Sequence, residues 1–143
     1  MFGWLIGAAA AIAAAGGGAW MLGVKTQQPK RRPIEELPRA PYEAVRFESE
    51  GVPMAGWLIR PEAAGPDAAG PLPLVVIAHG WGSNRSRVLR YAHPLIEAGY
   101  TVFMYDARCH GESGSVKAPT GLMFTADLKA AVATAAAPLI PSG

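Results

Sequence analysis

The sequence predicts an α/β fold: a β-hairpin, then a strand–helix–strand unit and a further helix, preceded by an N-terminal transmembrane helix. Three observations predict it. LVVIA (74–78) and TVFMY (101–105) are short apolar runs of the kind that fill strands buried on both faces. Between them, residues 86–98 place Val88, Leu89, Ala92, Leu95 and Ile96 on one helical stripe, with Arg87, Arg90 and Glu97 largely elsewhere. Residues 2–24 carry no charged side chain.

Residues 1–24 form the first unit. As a helix, 2–24 is roughly 34 Å long, enough for a hydrocarbon core of about 30 Å. Trp4 and Trp20 sit near its ends, and Lys25, Lys30, Arg31 and Arg32 follow. Positive charge on that side favours a single pass with the rest of the chain cytoplasmic. The alternatives are a buried soluble helix and a signal peptide, cleaved near Ala13–Ala15, whose product is exported. The missing basic n-region argues against the signal peptide.

Residues 25–41, polar and holding Pro29, Pro33, Pro38 and Pro41, read as an extended linker leaving the membrane. Residues 42–143 are the expected domain. YEAVRFES and VPMAGWLIRP, separated by Glu50-Gly51, predict the hairpin. Residues 61–73 have no periodicity and read as a loop. In the helix that follows LVVIA, Pro94 lacks an N–H and is expected to kink or divide it, and Gly99 to stop it. The second strand should run parallel to the first. Near the end, TADLKAAVATAAAPLI predicts a helix with Leu128, Ala131, Val132 and Ala135 on the sheet and Asp127 in its first turn, where negative charge is favourable.

Half of the 143 residues are hydrophobic, the net charge is +2, and no long basic block occurs, so nucleic-acid binding is not suggested. One cysteine, Cys109, excludes an internal disulfide. His79, His93, Cys109 and His110 match no usual zinc spacing, GWGSNRS lacks the Gly-Lys-Ser/Thr of a phosphate loop, and no cofactor is implied. Cys109 beside His110 reads as a small loop residue rather than a nucleophile, and Arg85, Arg87 and Arg90 as a solvated helix face.

Two loops leave the carboxyl ends of the parallel strands, where open α/β sheets bind ligands: HGWGSN after the first, DARCHGESGS after the second. In the first, Gly80 and Gly82 admit backbone angles closed to other residues and let a substrate approach, and the N–H of Trp81 or of a near neighbour is placed to stabilise an oxyanion. The plainer reading is an ordinary strand-to-helix turn.

Together, His-Gly-Trp-Gly after an apolar strand and AGYTVFMYDARCHGESG after a helix resemble the N-terminal half of an α/β-hydrolase of the serine aminopeptidase-like and esterase-like group, over roughly residues 42–137. The resemblance implies an incomplete α/β-hydrolase sheet. It places part of the oxyanion hole on His79, Gly80 and Trp81. It gives a loop-shaping role to Gly82 and to the D-x-R-x-H-G-x-S residues Asp106, Arg108, His110, Gly111 and Ser113. Cys109 stands where the family commonly has glycine.

The family's serine sits on a Gly-x-Ser-x-Gly elbow after the next strand. The sequence has no such pentapeptide; GESGS (111–115) comes nearest and belongs to the previous loop. The expectation is therefore a membrane-anchored serine hydrolase, acting on esters, amides or peptides, of which this chain supplies the oxyanion side and no nucleophile, acid or base. The alternative is a non-catalytic, membrane-tethered module that needs a partner chain.

Overall fold

The computed structural model describes residues 3–61 and 73–137. Helix α1 (Gly3–Thr26) buries none of its residues, and among the described residues it is the one helix long and apolar enough to cross a membrane, a test that a signal sequence also passes. Strands β1 (Tyr42–Ser49) and β2 (Val52–Ile59) form the hairpin, β3 (Leu74–Ala78) and β4 (Thr101–Asp106) the parallel pair. A 3-10 turn (Arg85–Val88) leads into α2 (Leu89–Glu97), and α3 (Gly121–Ala136) follows β4. The sheet order is β1-β2-β4-β3, with β2 antiparallel to β4.

The hairpin turn follows from its two central residues. Glu50 and Gly51 both have positive φ (49° and 75°), the backbone twist that a two-residue turn needs to match right-twisted strands. Gly56 in β2 meets a different demand, because a Cβ there would lie 2.7 Å from Phe103 Cζ and 2.9 Å from Met104 O.

Alternation sorts the side chains of the sheet onto two faces. Val102 and Met104 of β4 join Trp57 and Ile59 of β2 under α2, against Val88, Leu89, Ala92 and Ile96. Phe103 and Tyr105 point the other way, with Met54 and Leu58, toward Ala131 and Ala135 of α3. Each Val, Leu, Ile, Phe or Met among them contributes roughly 1.5–3 kcal/mol on removal from water, the alanines much less. Helices therefore cover both faces of a central β2–β4 pair, and the carboxyl ends of β3 and β4 emerge side by side.

Several local expectations differ from the structure. Pro94 lies inside α2 without dividing it; the break in helix type comes earlier, at the 3-10 turn, whose N-cap Asn84 accepts a hydrogen bond from the Ser86 N–H. Helix α3 begins at Gly121 with Thr120 as its N-cap, so Asp127 lies beyond the first turn and is fully buried. Ala131 and Ala135 pack on the sheet, but Leu128 and Val132 are largely exposed. Strand β3 is only half buried because, among the described residues, it pairs on one side alone. The stretch read as a linker is extended but packed: Pro29 and Pro38 are buried, and Ile34 and Ala40 join the core under α2. Most of the expected 61–73 loop, and the chain end that includes PSG, lie outside the described residues.

Candidate active-site rim

The loops after β3 and β4 meet through two histidines that bridge them in opposite directions. His79, on the first loop, accepts the Ala107 N–H of the second at Nε2 (3.1 Å). His110, on the second, accepts the Gly82 N–H of the first at Nε2 (3.0 Å). A backbone N–H can only donate, so both Nε2 atoms are unprotonated and each Nδ1 carries the proton. His79 then donates to Gly80 O (2.8 Å) and His110 to Arg108 O (2.8 Å). The ring centroids lie 4.9 Å apart. His79 is held below its ordinary pKa chiefly by burial, and the nearby His110 adds to the shift. Both rings act as neutral cross-braces, which leaves neither nitrogen free to serve as a base.

Gly82 has φ +66°, the left-handed angle expected of a glycine here, whereas Gly80 has no such angle and no atom within 4 Å of a built Cβ. The glycine requirement in this loop thus falls on Gly82 alone. Among the described residues no acceptor takes the Trp81 N–H, and the Trp81 side chain is 57 % exposed, edge-on to His110 and Phe124. Behind it opens a mostly apolar cavity of about 380 Å³, walled by Ala78, His79, Trp81, Tyr105, Phe124 and Leu128. Burial, with Asp127 second, pushes the Tyr105 phenol up to about 12, so it stays protonated at neutral pH.

The second loop is built around Asp106, which is fully buried. Its carboxylate accepts the backbone N–H of Arg85 (2.7 Å) and of Glu112 (2.9 Å) and pairs with the Arg85 guanidinium. A Cβ on Gly111 (φ +43°) would overlap that carboxylate. Ser113 Oγ donates to Asp106 O (2.6 Å) and accepts the Ala55 N–H (3.0 Å), pinning the loop to β2. Arg108, buried, reaches Asp127 with Nη2 (2.7 Å) and Nε (3.0 Å) and meets Glu50 at the hairpin turn (3.0 Å). Its pKa is raised further, mainly by the Asp127 hydrogen bond. Cys109 adopts φ +66°, a glycine-like conformation, and its sulfur meets both the N–H (3.3 Å) and the C=O (3.4 Å) of Val116.

Arg85 overturns the expectation of a solvated arginine face. It is 3 % exposed, stacks 4.3 Å over the Trp57 ring, and bridges Asp106 to Glu112, whose pKa it lowers. Arg87 and Arg90 are exposed as expected. Removing one partner of such a buried pair typically costs about 3–5 kcal/mol, because the other charge is left without compensation. The sequence offered no signal for this pair, nor for Arg108–Asp127, since the partners lie about twenty residues apart on different elements. Of the residues considered as metal ligands, His79 and His110 do come together, but as donors and acceptors to backbone.

Residues 69–139 match the family model described as serine aminopeptidase, S33. An esterase of Pyrococcus furiosus superposes with a TM-score of 0.61 at 26 % identity, covering 77 % of this chain and 42 % of its own. A hypothetical protein of Pseudomonas aeruginosa gives 0.57 at 25 % identity, over 78 % of this chain and 34 % of its own. An α/β-hydrolase of Penicillium, at 22 % identity and a TM-score of 0.56, covers 67 % of this chain and 32 % of its own and shares the fold. No curated protein matches the chain. The chain thus spans less than half the length of each of these solved structures.

Proposed function

We propose that this chain, part of an α/β-hydrolase similar to the serine aminopeptidase family, forms the oxyanion side of a membrane-anchored serine hydrolase acting on ester, amide or peptide bonds. The observation that carries this reading is the Trp81 N–H, which has no acceptor among the described residues, beside an apolar cavity and on a loop braced to its neighbour by His79 and His110. A carbonyl entering the cavity would place its oxygen near that N–H. As a serine attacks the carbonyl carbon, negative charge grows on the oxygen, and a donor already in place lowers the barrier without reorganising. Removing one such donor typically costs about 10²–10³ in kcat. Asp106, Arg108, Gly111 and Ser113 would then act by fixing the second loop. The serine and its acid and base would come from polypeptide other than these 143 residues, pairing beside β3. Helix α1 would be the anchor; its length, its apolar surface and the basic residues after it support this.

The lack of a Gly-x-Ser-x-Gly pentapeptide also favours a second reading, a tethered module with a binding role. Both are tested by purifying the tagged full chain from membranes and treating the preparation with a fluorophosphonate and a nitrophenyl ester. The hydrolase reading expects no label within residues 1–143, and label with turnover on the polypeptide that supplies the rest of the domain, whether continuous with this segment or co-purifying with it. A stable complex without label or turnover supports the binding module. Turnover by the chain alone, lost when it is unfolded, overturns the statement that the serine lies elsewhere.

A further inference from the structure

Arg31 and Arg32 follow the apolar helix closely and serve, in the sequence, as positive charges that orient it. In the structure they do something else. Arg32 Nε donates to Gly82 O (2.7 Å), on the loop after β3. Arg31 donates from Nη1 to Gly111 O (3.0 Å) and from Nη2 to Ser113 O (2.7 Å) and Ser115 Oγ (2.7 Å), on the loop after β4. The same stretch is gripped in return: Asn84 Nδ2 donates to Arg32 O (3.1 Å) and Pro33 O (2.6 Å). Just upstream, Gln28 Nε2 donates to Val116 O (3.2 Å) and to Lys117 O.

The residue types suit this arrangement. Pro29 and Pro33 hold the segment extended and withdraw their own N–H groups, so it forms no structure that competes with the loops. Arginine presents several donors in a planar fork, and Arg31 uses two nitrogens on three acceptors; a lysine, with one nitrogen, cannot span them. Hydrogen bonds with a charged donor are stronger than neutral ones, which matters for carbonyls on loops that lack a strand ladder.

Gly82 is therefore held on both sides, its N–H by His110 and its C=O by Arg32. We infer that residues 28–33 are a strap in which Arg31 and Arg32 are positioning residues: they lock the two rim loops in register and tie the backbone beside Trp81 to the end of the N-terminal helix. The chemical meaning of this strap rests on the oxyanion reading above, but its test does not.

The test is hydrogen exchange, read by mass spectrometry, on the full chain in detergent or lipid, comparing wild type with Arg32→Ala, Arg32→Lys and Arg31→Ala. Arg32→Ala should speed exchange in the peptide covering 79–84 by about tenfold, and Arg31→Ala in the peptide covering 109–115. In both, exchange in β2 and β4 should stay at the wild-type rate. Arg32→Lys, which keeps one charged donor, should restore part of the protection at 79–84. Unchanged loop exchange in the alanine variants would overturn the inference. So would an equal rise across loops and strands, or failure of the variants to fold, because the contacts would then serve general stability. If the strap holds while fluorophosphonate labels nothing in the membrane preparation, the hydrolase reading fails and the strap does not.

Discussion

Cys109 occupies a backbone conformation that a side chain disfavours by roughly 1–2 kcal/mol. Its sulfur recovers part of that cost against Val116. Glycine at this position removes the strain but adds freedom to the unfolded chain, worth roughly 0.4–1 kcal/mol the other way. Cys109→Gly should therefore raise stability by about 0.5 kcal/mol, and Cys109→Val should lower it by more than 1 kcal/mol, since a β-branched residue fits a positive φ worse still. Denaturant midpoints of the folded chain check both. His79 yields a second residue-scale expectation. Its folded pKa lies below the ordinary value, so as pH falls through about 6.5 the unfolded chain takes up a proton that the folded chain refuses. Its contribution is fully present above that pH and is lost below it. Between pH 7.5 and 5.5 the denaturant midpoint of wild type should drop further than that of His79→Asn; equal drops would refute the assignment.

Elements were legible in the sequence where one face decided them. The runs at 74–78 and 101–105 became β3 and β4 because they are short, apolar and rich in β-branched and aromatic residues, and the 86–98 stripe became the packed side of the 3-10 turn and α2. Both site loops were legible too, because glycine and a strand end mark them locally. Long-range pairing was not. The braces His79–Ala107 and His110–Gly82, the Arg85–Asp106 pair and the Arg31 and Arg32 bonds depend on tertiary placement, and nothing in the local pattern separates a buried arginine from a solvated one. Pro94 is expected to kink or divide its helix, and it does not divide it. The helix continues through it, with the Ala98 N–H closing on Pro94 O (3.0 Å), because Ala92 and Ile96 on either side are buried against the sheet and hold the backbone in place. The missing N–H still has a cost, up to about 3 kcal/mol in a helix interior. Pro94→Ala should raise stability by about 1–3 kcal/mol with the rim loops unchanged, as read by thermal unfolding alongside hydrogen exchange of the peptide covering 79–84.

At the scale of the whole molecule, the two edges of the sheet are unlike. β1 carries Glu43, Arg46 and Glu48, charges of the kind that keep an edge strand from pairing with another chain. β3 carries LVVIA, half exposed, with no charge and, among the described residues, a partner on one side only. A short uncharged apolar strand with free backbone groups is a template for a further strand, and in solution the nearest supply is a second copy of the chain. Purified chain in detergent should therefore associate with itself through this edge as its concentration rises. A single lysine at Val75, which belongs to neither core cluster, should weaken that association several-fold, whereas Ala44→Lys on β1 should leave it unchanged. Sedimentation velocity separates the cases. A wild-type chain that stays monomeric, or two lysine variants that behave alike, would show that β3 is not where this molecule seeks its next strand.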